Sequence, residues 1–149
     1  MKHARTWYVI ADGGRARILC KRDAQDAFDT QREFVSANIH RHTHELGTDR
    51  LGRTHESATS ARHAVEPRND LHRADKKDFV DEVAKALNEA NAQDAFDRLI
   101  LVAPAHALAQ LNHALDDATK RKVATWLQKD LTNVPNDGLA AHLVDLSGV

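Results

Sequence analysis

Residues 40–45 read HRHTHE, and the alternation of three histidines is a spacing with chemical meaning. In an extended chain His40, His42 and His44 project to one side. Three imidazole nitrogens are a ligand set that catalytic zinc centres use, so on this reading the chain is a metal-dependent hydrolase. Such a cage also needs a rigid strand and a hydrogen-bond acceptor behind each ring. Only Glu45 and His55 stand nearby, with no cysteine and no paired His-x-x-x-His helix to back the cluster. The stretch falls where a strand gives way to a polar segment. The favoured reading is therefore solvated loop histidines and no metal, with the hydrolase kept as the alternative.

Other reactive residues are judged in the same way. Asp12 leaves an apolar run, where a carboxylate could serve two-metal chemistry, but that chemistry needs several converging acids. The later apolar run RLILVAP ends without one. Asp12, Gly13 and Gly14 read instead as a structural turn, with the carboxylate bonded to its own backbone and the glycines supplying positive φ. They lack the spacing of a dinucleotide or P-loop fingerprint. Ser57, Thr59 and Ser60 lie near His55 and His63, yet no Gly-x-Ser-x-Gly elbow is present. No catalytic residue and no cofactor is implied.

The most informative stretch is DRLGRTHESATSARHAVEP, residues 49–67. Arg50, Arg53 and Arg62 are spread along it, and Gly52 gives the backbone freedom. Guanidinium forks suit phosphate oxygens and stack on bases. The competing reading is a solvated loop whose arginines pair with Asp49, Glu56 and Glu66.

The elements that must position these groups follow from pattern. TWYVIA at Thr6–Ala11 and RARILCK at 15–21 read as strands around the Asp12–Gly14 turn. A third strand is expected over Gln31–Asn38, with Phe34 near its middle. Residues 39–69 show no sustained period and end near Pro67, so a long basic loop is expected at about 40–70. Helical spacing returns at Asp70–Ala92, with Asp70 as cap and Phe79, Val83 and Leu87 on one face. Leu99–Ala103 reads as a strand buried on both faces. Pro104 then opens a helix bearing Leu108, Leu111 and Leu115. A last strand is expected over Lys122–Leu127, and a last helix capped by Asn136 or Asp137 with Leu139, Leu143 and Leu146. The order β-β-β-loop-α-β-α-β-α predicts an α/β fold, a mixed five-stranded sheet with helices on both faces.

The 149 residues suit a single domain spanning 1–149. No apolar run is long enough to cross a membrane, and the N-terminal run is cut short by Asp12, unlike a signal peptide. The lone Cys20 forms no internal disulfide, which fits a reducing cytoplasm, and its apolar setting suits a packed thiol. Residues 1–77 hold 15 Lys and Arg against 11 Asp and Glu, whereas residues 78–149 hold 6 against 11. A basic, histidine-rich segment is therefore expected on a mildly acidic body. This falls short of the overall basicity of a strong nucleic-acid binder.

Five stretches in order carry a likeness: ADGGRARIL at 11–19, DRLGR at 49–53, Arg62-His63 before Glu66-Pro67, LILVAP at 99–104, and KDLT at 129–132. Together they resemble the bacterial host attachment protein family, named as required for attachment to host cells. Leu51 stands where the family tends to have proline, and His106 and Asn112 where it tends to have arginine. That family is in turn similar to the middle domain of eukaryotic and archaeal peptide-release factors and of pelota. There a Gly-Gly-Gln loop precedes a long helix and enters the ribosome. Residues 47–67 occupy the equivalent place and contain no Gly-Gly-Gln. The resemblance implies a release-factor-like fold and a non-catalytic, ribosome- or RNA-associated module. Arg50, Arg53, Arg62, His63, Arg15 and Arg17 would contact nucleic acid. A role in attachment would then be indirect.

Overall fold

A computed structural model describes residues 4–21, 27–37 and 54–143, of which 54–72 are described as backbone. Its centre is the five-stranded mixed sheet that the residue pattern predicts. β1 (Thr6–Ala11) pairs antiparallel with β2 (Arg15–Lys21), and β2 pairs antiparallel with β3 (Phe28–Val35). On its other side β1 pairs parallel with β4 (Arg98–Ala103), which pairs parallel with β5 (Val123–Gln128), giving the order β3-β2-β1-β4-β5. Parallel neighbours need crossovers. These are α1 (Thr54–Ala92) before β4, then α2 (Ala105–Ala114) and the short α3 (Asp117–Lys120) before β5; α4 (Asn136–Leu143) follows.

Alternation along the strands sorts the core into two halves. Val9, Ala11, Ala16, Ile18, Leu99 and Leu101 face Phe79, Val80, Val83 and Leu87 of α1 and Leu111 of α2. Tyr8, Ile10, Leu19, Ile100 and Val102 face Leu139 and Leu143 of α4. Leu99, Ile100, Leu101 and Val102 of β4 are wholly buried. Each such side chain contributes about 1.5–3 kcal/mol of burial, which makes β4 the energetic centre of the sheet.

The largest difference from expectation concerns residues 54–69, which are helical rather than loop. α1 runs unbroken for 39 residues, about 58 Å at the usual rise, and passes through Pro67. Asp70 therefore lies inside the helix and does not cap it. Apolar periodicity misses this part because its helicity comes from propensity and from continuation of a packed helix. Ala58, Ala61 and Ala64 favour the conformation. Pro67 lacks an N–H for the ladder, a cost of about 3 kcal/mol that the helix absorbs. α1 ends where Asp94 takes a left-handed φ of 58° and Ala95 N–H donates to Ala90 O, 3.0 Å away.

Smaller corrections follow. β3 spans Phe28–Val35, three residues earlier than the pattern suggests. Ile18 pairs with Arg32 and Leu19 with Thr30, leaving Gln31 as the extra residue of a β-bulge. The bulge lets Phe28 and Phe34 face opposite sides of the sheet although both numbers are even. Phe28 is buried and meets Tyr8 edge-on at 5.0 Å. α3 was not expected; Asp116 caps it by accepting from Thr119 N–H at 2.8 Å. α4 begins at Asn136 itself, whose Nδ2 donates across to Thr30 Oγ1 at 2.8 Å. Cys20 is half-buried and unpaired, and accepts from Gln31 Nε2.

At the amino ends of β1 and β4 a charged cluster ties the chain together. Arg5 donates to both carboxylate oxygens of Asp97, at 3.1 and 3.2 Å, and to the backbone and side chain of Asp94. This exposed fork holds the Asp97 carboxyl at a pKa of about 2, first through the Arg5 side-chain hydrogen bond and then through the Arg5 backbone N–H.

Candidate functional site

The carboxyl ends of β1, β4 and β5 lie at one end of the sheet, together with the start of β2 and the end of β3. The residues gathered there come from four distant parts of the sequence. Asp12–Arg15 joins β1 to β2, Ser36 follows β3, Lys76 comes from α1, and Lys129–Val134 follows β5.

The Asp12 turn organises them. Asp12 Oδ1 accepts from Gly14 N–H and Arg15 N–H, both at 2.8 Å, while Asp12 N–H donates to Arg15 O at 2.8 Å. No glycine among the described residues takes a left-handed φ, so Gly13 and Gly14 do not serve the turn as the Gly-Gly pair suggested. At Gly13 the requirement is space. A Cβ there would stand 2.7 Å from Lys76 Cγ and 2.8 Å from Lys76 Cδ, closer than carbon atoms pack. The Lys76 stem crosses directly over the turn.

Across the site Thr132 Oγ1 lies 2.9 Å from Asp12 Oδ2 and 2.9 Å from Asp130 Oδ1. A hydroxyl carries one proton, so it donates to one of these carboxylates at a time and holds both beside the turn. Arg17 secures the same segment by donating Nη1 to Thr132 O at 3.0 Å and Nη2 to Val134 O. Its Nε is buried and has no partner among the described residues. Burial lowers the Arg17 pKa from its ordinary value, partly opposed by the charge of Glu33.

A cleft of about 270 Å³ opens between these elements, lined chiefly by Ile10, Arg15, Arg17, Glu33, Val35 and Thr132. Val35, at 49% exposure, forms an apolar rim opposite Arg15 in the β2–β3 register. Around the Asp12 turn, beside the cleft, the acids and cations are used differently, while the exposed Glu33 on the cleft wall acts on Arg17 through its charge. Both Asp12 oxygens and one Asp130 oxygen are engaged inside the molecule. The exposed Arg15 and Lys76 side chains have no charged or hydrogen-bonded partner among the described residues. No histidine, cysteine or serine lines the cleft. The arrangement is suited to holding an oxyanion at its mouth and presents no paired nucleophile and base.

The residues singled out from the sequence thus part company. Arg15 is solvent-facing at the cleft, whereas Arg17, expected beside it as a contact residue, has two of its three nitrogens on backbone carbonyls. Arg62 and His63 lie on α1, Arg62 being 14 residues before Lys76, about 21 Å along the same helix. Arg50, Arg53, Gly52 and the His40, His42, His44 group lie outside the described residues. Among the described residues no three His, Cys, Asp or Glu side chains come together as a metal site, and no helix is long and apolar enough to cross a membrane. His106 and Asn112 on α2 are exposed. Lys76 and Thr132 were not anticipated as site residues. The signal for Thr132 was the KDLT stretch; Lys76 had none, because its place depends on α1 crossing the turn.

The model of a protein family described as "Protein required for attachment to host cells" matches residues 7–143. The chain belongs to this family. The match runs from β1 to the end of α4, so it takes in every strand and the whole cleft of this host attachment family protein. None of the curated proteins compared with it matches.

Proposed function

We propose that this host attachment family protein is a non-catalytic binding module that contacts polyanionic RNA, the ribosome included, and serves attachment indirectly from the cytoplasm. The observation that carries the reading is the asymmetry around the Asp12 turn, beside the cleft whose wall holds Glu33. Asp12 and Asp130 are engaged by a hydroxyl and backbone N–H groups, while Arg15 and Lys76 stand free among the described residues. Free cations beside internally satisfied acids give a local surface that attracts phosphates, even on a chain of net charge −1. Arg62 on α1, with Arg50 and Arg53 before it, would extend the contact along the nucleic acid. The likeness to the middle domain of peptide-release factors and pelota, where a loop before a long helix meets ribosomal RNA, supports the same assignment.

The test is cosedimentation with purified ribosomes and filter binding to ribosomal RNA, titrated with salt. Binding should be measurable at about 50 mM salt and fall steeply by about 200 mM. Arg15→Ala with Lys76→Ala, and separately Arg50→Ala, Arg53→Ala and Arg62→Ala together, should each flatten the salt dependence by about one unit of slope per phosphate contact removed. Absence of binding at low salt, or indifference to both sets of substitutions, refutes the proposal.

A further inference from the structure

We propose that the outer edge of β5 is a docking site for an extended peptide of another protein, flanked by acidic residues, which joins the sheet as an added strand. The inference does not rest on the RNA contacts proposed above.

β5 and β3 are the two edges of the sheet, and each has a line of backbone N–H and C=O groups facing away from its one partner. β3 has the features by which edges resist pairing: Asp29, Arg32 and Glu33 alternate charge along it, and the bulge at Gln31 breaks its regularity. β5 reads VATWLQ and contains no charged residue and no proline. Its own irregularity, the extra residue Ala124, lies at its start, so Thr125–Gln128 pair regularly with Ile100–Ala103. Trp126 is 39% exposed, and its register partner Leu101 belongs to the core half packed under α1 and α2. A large aromatic half out of water on an open strand gives an incoming apolar side chain a surface to pack on.

Charge selects the occupant. Residues 120–129, KRKVATWLQK, hold four cations and no acid. Lys122 is turned inward to Phe96 O at 3.0 Å, but Lys120, Arg121 and Lys129 have no side-chain partner among the described residues. Asp130, just beyond, is engaged by Thr132. A strand arriving with acidic residues at its ends meets cations at both ends of β5. A second copy is the poorer fit: antiparallel pairing centred between Thr125 and Trp126 sets Lys122 of one copy opposite Lys129 of the other.

The test uses the full chain and a short synthetic peptide of alternating Val and Thr with Asp-Glu at both ends, beside a twin with Lys-Lys ends. The acidic peptide should slow amide hydrogen exchange within Val123–Gln128 and shift Trp126 emission, with an affinity at least about tenfold above that of its twin. Arg121→Glu with Lys129→Glu should reverse that preference, a readout that stands even if Trp126→Lys, expected to abolish binding, proves unstable. Three outcomes overturn the proposal. Neither peptide protects β5; both protect it equally; or β5 is already protected, without peptide, in a concentration-dependent dimer.

Discussion

The two ends of the sheet use the same residue types in opposite ways. At the amino end Arg5 is fully engaged: its guanidinium meets both oxygens of Asp97, and the backbone and side chain of Asp94. At the carboxyl end Asp12 and Asp130 are engaged instead, by Thr132 and by the N–H groups of Gly14 and Arg15, and the nearby cations Arg15 and Lys76 face water. Both clusters sit at turns beside β1, so position along the fold does not separate them. The difference lies in which partner is satisfied internally, and it separates a clamp from a surface that can take a ligand. Arg17 shows that the distinction is local. It lies two residues from Arg15, and through Thr132 O and Val134 O it acts as a clamp.

Substitutions can break or sharpen this contrast. The largest loss is expected from Arg17→Ala, which removes two charged hydrogen bonds to the segment before α4. Urea denaturation should show a loss of about 2–3 kcal/mol, with poor rescue by Arg17→Lys because one ammonium cannot span both carbonyls. Gly13→Ala should cost about 1–3 kcal/mol by forcing the Lys76 stem off the turn. If the proposed RNA contact holds, it should also weaken that binding while leaving Arg15 in place. Thr132→Val keeps the shape and removes the hydroxyl shared by Asp12 and Asp130, for a loss of about 1–2 kcal/mol.

A smaller effect distinguishes the amino-end clamp by pH. Asp97 titrates at about 2 when folded, against an ordinary 3.8. Because its folded value is depressed, its contribution is complete above 3.8 and is lost as pH falls toward 2. Asp97→Asn should lower thermal stability at pH 7, where the contribution is complete, and flatten the acid limb between pH 3.8 and 2. The smallest effect on stability belongs to Arg15→Ala, within about 0.5 kcal/mol of the parent. If Arg15→Ala destabilises as much as Arg17→Ala, Arg15 is a clamp and the contrast collapses.

Much of the fold was legible from residue order because burial leaves a periodic trace. Leu99–Ala103 announced a strand covered on both faces, and the spacing of Phe79, Val83 and Leu87 announced a helix against it. The trace fails where burial does not drive structure. Residues 54–69 show no sustained apolar period in the sequence, so the pattern does not announce their helix and Pro67 reads as an end. It also fails where a single residue resets the alternation, as Gln31 does in β3. The site was less legible still. Arg15 and Arg17 look equivalent as neighbours on one strand, and only Thr132 and Val134, more than a hundred residues away, make them different.

Local pattern was therefore enough for the composition of the layers, the sheet type and the Asp12 turn, since each follows from neighbours within a few residues. Which cations remain free, why Gly13 has no side chain, and which strand edge is left undefended were decided only when the chain closed on itself. Those properties depend on the strand order of the sheet and on contacts between Lys76 and Gly13, and between Thr132 and Asp12, that no short window of sequence contains.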